Sequence, residues 1–349
     1  MSREALRLKK RSLDSAVFAV LVVVAFAVSP SAGPAPAHVA SLPCFDPVPG
    51  VTWMPWTSSG RADLERWCAS VGPPVVVQAV VTPADVTRLV VVTWNVHVGG
   101  GQVEDFVKAH WTERERTGLV LLLQEAYRSD ETIPGALPND LKVPAAIRPS
   151  PRSLDIQRLA QRLNMSAVYV PSMRNGRATK SGEREDRGNA ILSTEPLDDV
   201  RAIALPFGKQ RRVAIAATVT PRNSSIGPLR VVVTHFDIGG HRVAQAEAFG
   251  DRIAEFTDMP MIVGGDFNSP YGLRDKAVQA VGRRIQMEPC GTGGTFTWPL
   301  RFNLLALIDF GRLDFIFSTL GSSGLTRECR TIDGWFRSDH RPVMLTLEH

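Results

Sequence analysis

Cysteine is scarce, with four in 349 residues, and no C-x-x-C pair or Cys/His spacing is present. That excludes a zinc ribbon or finger as the organising element. No internal repeat and no long low-complexity tract occurs, so a solenoid or an extended disordered chain is excluded as well. The longest apolar run, Ala16–Val28, falls short of the roughly 20 residues a membrane-spanning helix needs. It follows the basic residues Lys9, Lys10 and Arg11 and precedes Ala35-Pro36-Ala37, an A-x-A pattern. Residues 1–37 therefore read as a signal peptide cleaved before His38, with an uncleaved N-terminal membrane anchor as the alternative. The expected location is secreted or periplasmic. Removing 1–37 takes five of the 40 basic residues and two of the 35 acidic ones, which lowers the net charge from +5 to +2. A strong electrostatic claim on a polyanion is thus missing too.

The four cysteines suit an oxidising compartment. Closeness in sequence favours Cys44 with Cys68 and Cys290 with Cys329, although four cysteines allow two other connectivities. Residues 38–87 read as a short extension holding one helix near 62–70 and a strand at 73–81. From residue 88 onward, apolar strands alternate with amphipathic helices. Strands are expected at 89–95, 119–124, 166–171, 188–193, 212–219, 229–235, 260–264, 312–317 and 342–347. Helices are expected at 102–114, 153–163, 242–256 and 271–281. Strands outnumber helices and several follow one another directly, so two packed sheets with helices outside fit better than a doubly wound sheet.

Polar residues gather where these apolar runs end. GGDFNSP, 264–270, places Asp266 and Asn268 after a strand, a carboxylate and an amide suited to holding a water and a phosphoryl oxygen. LVLLLQE ends at Glu125, where a buried carboxylate needs a cation or an ion pair; Arg128 is the candidate for the latter. LVVVTWNVH leaves Asn95 and then His97 beyond its strand, VVVTH leaves His235, and DRGNAILS brings Arg187 and Asn189 to a strand start. Asp314 in GRLDFIFS requires a partner, and SDHRPV, with Asp339 and His340, supplies an imidazole. Each of these, alone, has an ordinary reading as a turn, a rim residue or a core hydrogen bond.

Together, and in this order, WNV, QE, TH, GDFN, LDFIF and SDHRPV resemble the endonuclease/exonuclease/phosphatase superfamily over roughly residues 88–348. That superfamily includes deoxyribonuclease I-like and exonuclease III-like nucleases, neutral sphingomyelinases and inositol polyphosphate 5-phosphatases. The resemblance implies a four-layered α/β sandwich, two packed mixed β-sheets flanked by helices, with the site at one edge of the sheets. It implies Mg²⁺, with Mn²⁺ or Ca²⁺ as alternatives, held by Glu125, Asn95 and Asp339. His340, oriented by Asp314, would act as base or stabilise charge at the phosphate. Asp266 and Asn268 would position the nucleophile and a phosphoryl oxygen. His235 would contact the phosphate or assist the leaving group, and Asn189 and Arg187 would bind phosphate.

Two departures stand out. His235 lacks a carboxylate partner within RGNAILS, leaving Asp186 as a substitute, and GRLDFIF lacks the inositide signature. The expectation is a secreted metal-dependent phosphodiesterase acting on nucleic acid, an endonuclease-like enzyme. Arg187, Arg211, Arg212 and Arg242 would meet successive phosphates. A phospholipid head-group phosphodiesterase of the sphingomyelinase type is the enzyme alternative, and an inactive binding protein with this fold is the other. No obligate protein partner is evident.

Overall fold

Strands that are apolar at nearly every position need cover on both faces. The computed structural model describes residues 45, 48–54, 61–79, 85–111, 116–135, 152–175, 184–287, 289–290, 297–302, 306–320, 325–334 and 336–348. All of these fall in one compact unit, Ser41–His349. The signal peptide expected over 1–37, and Cys44, lie outside the described residues.

The chain begins with β1 (Val51–Trp53), α1 (Arg61–Cys68) and β2 (Val75–Val77). Next come β3 (Arg88–Asn95), α2 (Val103–His110), β4 (Thr117–Ser129) and α3 (Ile156–Leu163). Five strands follow one another: β5 (Ser166–Arg174), β6 (Glu185–Ser193), β7 (Leu197–Ala204), β8 (Val213–Val219) and β9 (Leu229–His235). Then α4 (His241–Ile253) leads to β10 (Met261–Asp266) and α5 (Lys276–Ile285). The C-terminal strands are β11 (Trp298–Phe302), β12 (Ala306–Gly311), β13 (Asp314–Ser318), β14 (Thr326–Thr331) and β15 (Val343–Glu348).

One sheet runs β1-β7-β8-β9-β10-β13 and the other β14-β15-β3-β4-β6-β5-β2, while β11 and β12 form a separate hairpin. Both sheets are mixed, because β1–β7, β9–β10 and β3–β4 pair in parallel. The period-2 alternation then builds the layers. Leu89, Val91, Val120 and Leu122 meet Val231, Val233, Ile262 and Ile316 between the sheets. On the outer face of one sheet, Val90, Val92 and Trp94 pack on Phe106 of α2 and Leu159 of α3. On the outer face of the other, Val232 and Val263 pack on Phe249 of α4 and Val281 of α5. The result is a four-layered α/β sandwich.

Several elements differ from expectation for local reasons. The segment 38–87, read as an extension, contributes an outer strand to each sheet through β1 and β2. The strand expected at 119–124 continues to Ser129 across a register shift between Leu123 and Ala126. Glu125 sits in that bulge at φ 54°. The helix expected at 271–281 starts later, because the Asp275 carboxylate caps Ala277 N–H at 3.0 Å after a 3₁₀ turn, Gly272–Arg274.

A buried ion pair anchors the start of the chain. Arg128 donates Nε and Nη2 to the Asp186 carboxylate at 3.1 and 2.7 Å and Nη1 to the Pro73 carbonyl at 2.7 Å. Tyr169 Oη and Gly72 N–H also donate to Asp186, at 2.7 and 2.9 Å. Asp186 is therefore committed to this network and is not the substitute partner of His235, and Arg128 pairs with Asp186, not with Glu125. The Cys290–Cys329 disulfide is formed, and Cys68 is disulfide-bonded. No helix among the described residues is long and apolar enough to cross a membrane.

Candidate active site

Strand register, more than sequence proximity, assembles the polar cluster. In one sheet His235 of β9 pairs with Asp266 of β10, and Asp266 pairs with Asp314 of β13, so three polar residues stand in a row across three strands. In the facing sheet Asn95 closes β3, and the 336–342 loop delivers Asp339 and His340 just before β15. Gly264 lets the sheets approach beneath the row: a Cβ there would lie 2.8 Å from Leu122 Cδ1 and 2.9 Å from Thr93 Cβ of the facing sheet. A Cβ on Gly265 would lie only 2.2 Å from the Thr234 carbonyl of β9, the neighbouring strand of its own sheet.

A continuous hydrogen-bond network joins the row to the facing sheet. His340 Nδ1 lies 2.8 Å from Asp314 Oδ2, and His340 Nε2 lies 3.8 Å from Asp266 Oδ2. Asn95 Nδ2 donates to the same Asp266 oxygen at 3.0 Å, while Asn268 N–H donates to Asp266 Oδ1 at 2.8 Å. Asn268 Nδ2 donates to the Phe236 carbonyl at 2.8 Å and lies 3.1 Å from His235 Nε2. Asp266, 3.3 Å from His235 Nε2, is the carboxylate beside that histidine.

Burial and charge set the protonation states. Burial opposes charge on His340, but Asp314 and Asp266 outweigh it and push the imidazole up to about 10. Burial raises the Asp266 carboxyl; His340 pulls it down and Asp314 pushes it up, leaving it at about 7. Burial, then Arg212, His340 and Arg187, hold His235 well below its ordinary value, so it is neutral. A neutral His235 accepts from Asn268 through Nε2, which puts its proton on Nδ1.

Two groups of oxygens are available to a cation. Asp266, Asp314 and His340 have ligand atoms within 4.8 Å of one another. In that group Asp314 Oδ2 is engaged by His340 Nδ1 at 2.8 Å, and Asp314 Oδ1 is buried without a hydrogen-bond partner. Glu125 and Asp339 are the other two carboxylates. Glu125 Oε2 is buried without a hydrogen-bond partner, an acceptor whose burial is costly unless something cationic meets it. Asp339 is half-exposed, and its hydrogen bond from His97 Nδ1 at 3.0 Å holds its carboxyl below the usual range against the opposing effect of burial. Carboxylate and amide oxygens without a thiolate fit a hard divalent cation. Asn95 is partly engaged, since its Oδ1 accepts from His97 N–H at 3.0 Å; that oxygen keeps a second lone pair.

Beside Glu125 and His235 runs a narrow cleft lined by Arg187, Asn189 and Arg212. Arg187 Nε and Nη1 and Arg212 Nε are buried and make no hydrogen bond. Asn189 Nδ2 is used on the Val213 carbonyl at 2.7 Å. Two of the four arginines expected to meet phosphate are placed otherwise. Arg211 is fully buried, donates to the Pro171 carbonyl at 2.6 Å, and lies over the Phe45 and Trp53 rings. Arg242 is held by Asp275 at 2.9 Å.

Sequence reasoning assigned no role to three contributors. His97 fastens Asp339; its strand-end position beside Asn95 was the available signal. Ser338 Oγ donates to the Asn95 carbonyl at 2.6 Å and accepts His340 N–H at 3.1 Å, so the serine of SDH locks the two motifs together. Thr297 Oγ1 accepts N–H from Leu313 and Asp314 at 2.9 and 3.1 Å, and nothing in its sequence context marks it.

A profile of the endonuclease/exonuclease/phosphatase family matches residues 92–340, a span running from β3 to His340. The chain belongs to the endonuclease/exonuclease/phosphatase family. Members of this family are metal-dependent phosphoesterases, and the chain is a hydrolase of that kind. Among solved structures, a family protein from Leptotrichia buccalis C-1013-b is similar at a TM-score of 0.52 and 15% identity, covering 75% of this chain and 100% of that one. An endonuclease/exonuclease/phosphatase from Beutenbergia cavernae DSM 12333 gives 0.51 and 18%, covering 75% and 72%. The human Nocturnin catalytic domain gives 0.49 and 16%, covering 79% and 96%. No curated protein matches the chain.

Proposed function

We propose that this family member is an exported, Mg²⁺-dependent phosphodiesterase whose substrate is nucleic acid, cut in an endonuclease-like manner. The observation that carries the phosphodiester reading is the pair of buried guanidinium groups, Arg187 and Arg212, whose unpaired N–H groups line the cleft beside Glu125 and His235. Buried cationic donors without acceptors are costly, and a phosphate diester supplies both the charge and the oxygens. Support for nucleic acid comes from the endonuclease/exonuclease/phosphatase family to which the chain belongs.

Glu125 and Asp339, with Asn95, would hold the cation, which supplies charge neutralisation at the phosphoryl oxygens. In this reading Asp266 accepts the proton of the attacking water, which Asn268 and Asn95 help to orient. His340, kept cationic by Asp314, stabilises charge on a phosphoryl oxygen. Neutral His235 faces the phosphate from the neighbouring strand. The P–O ester bond breaks as the P–O bond to water forms, the water's proton passes to Asp266, and the leaving oxygen takes its proton from solvent. Arg187 and Arg212 grip the non-bridging oxygens, with Asn189 holding β6 against β8.

The test assays plasmid DNA, RNA and sphingomyelin vesicles with one Mg²⁺-loaded preparation, with and without EDTA. Cleavage of nucleic acid that disappears in EDTA and returns with Mg²⁺ is expected. Sphingomyelin turnover with both nucleic acids left intact would replace the substrate, and full activity after exhaustive chelation would remove the cation.

A further inference from the structure

Among the described residues three large apolar side chains are exposed, and all three stand on the two loops that leave the site. Ile238 is 50% exposed, Tyr271 73% and Leu273 38%. Ile238 follows His235 by three residues, and Tyr271 follows Asn268 by three. Three residues of extended chain reach at most about 11 Å, so both lie close to the phosphate site.

The loops are fastened to each other. Arg242 reaches the buried Asp275 carboxylate through Nη2 at 2.9 Å and donates Nη1 to the Gly239 carbonyl, which joins the Ile238 loop to the Tyr271 turn. The turn itself is closed by Gly272 N–H to the Ser269 carbonyl and Asp275 N–H to the Gly272 carbonyl, both at 3.0 Å. Tyr271 is also unlike the other two tyrosines. Tyr127 and Tyr169 are buried and spend their hydroxyls on Glu185 and Asp186.

We propose that Tyr271 is a stacking platform for a nucleobase of the substrate strand, adjoining the phosphodiester held at the site, with Ile238 and Leu273 extending its apolar rim. This deepens the nucleic-acid reading and rests on it. An aromatic ring on a hydrogen-bonded turn offers any base a π-face with little ordering cost, and Arg274 and Lys276, both exposed, are placed for the flanking phosphates. A lipid surface is the poorer occupant. Even a whole myristoyl chain gives only marginal membrane binding, and three side chains on two short turns bury less.

The test uses the whole protein and a fluorescein-labelled oligo(dT) strand, with binding read by anisotropy in EDTA so that the strand stays intact. Tyr271→Ala should weaken binding by about 5- to 150-fold, the fold-change for a stacking energy of about 1–3 kcal/mol per base. Tyr271→Phe, which keeps the ring, should stay within about twofold of the unchanged protein. An abasic strand of the same length should bind both Tyr271→Ala and the unchanged protein alike. Unchanged oligo(dT) binding by Tyr271→Ala, or an equal loss on the abasic strand, overturns the platform. So does a loss seen on phosphatidylcholine–sphingomyelin vesicles and not on oligo(dT). Mg²⁺-dependent cutting of the strand is measured alongside. Cutting by the unchanged protein with no effect of Tyr271→Ala removes the platform alone, whereas no cutting removes the nuclease reading beneath it.

Discussion

His340 stays cationic because two carboxylates outweigh its burial, and Asp314, 2.8 Å from Nδ1, is the stronger of them. The sign is simple: an imidazole raised to about 10 keeps its proton through neutrality and loses it only as pH climbs past that value. Asp314→Asn should bring the His340 pKa back down toward the ordinary value of about 6.5, a change that NMR titration of the ring reads directly. Because the two side chains act through one hydrogen bond, either single loss should lower kcat by about 10²–10⁴-fold. Combining Asp314→Asn with His340→Ala should add less than about tenfold more. Additive losses in that double-mutant cycle would show that Asp314 and His340 work separately.

At the scale of the element, β10 is the most constrained strand. It pairs with β9 on one side and β13 on the other, and its Gly264 faces the second sheet where Leu122 and Thr93 leave no room for a methyl group. Gly264→Ala should cost about 1–3 kcal/mol through overpacking, read as a lower urea midpoint at an unchanged slope. The displaced strand carries Asp266, so kcat should fall with it. An unchanged midpoint would mean that the sheets yield at this point without cost.

For the whole molecule, the closures that hold the two sheets together matter more than any one strand. Cys290 is hydrogen-bonded through its N–H to the Ile316 carbonyl of β13, in one sheet, and Cys329 lies in β14, in the other. Their disulfide therefore ties the two sheets beside the site, across a separation of 39 residues. By loop-closure entropy, replacing both cysteines with serine should cost up to about 4 kcal/mol, measured by urea unfolding under non-reducing conditions. Equal stability of the two proteins would place the holding energy in the inter-sheet core alone.

The sequence by itself determined the elements that bear an apolar period and the motif order that marks the family. Unbroken runs such as LVVVTWN and LVLLLQ announce buried strands, and polar residues at their ends stand out because burial makes them costly. The strands β1, β7 and β14 stayed hidden, as did the hairpin of β11 and β12. β1 has only three residues, and β7 and β14 are polar at many positions, so none carries a run long enough to read. Tertiary structure alone decided which polar residues meet. His235, Asp266 and Asp314 are neighbours through strand register across a sheet, a relation that leaves no spacing in the chain. The bulge that turns Glu125 out of its strand, and the burial that takes Arg211 away from the surface while leaving Arg212 in the cleft, depend on what packs around each backbone. Both arginines stand just ahead of β8, and they look alike in sequence until the layers on either side are known.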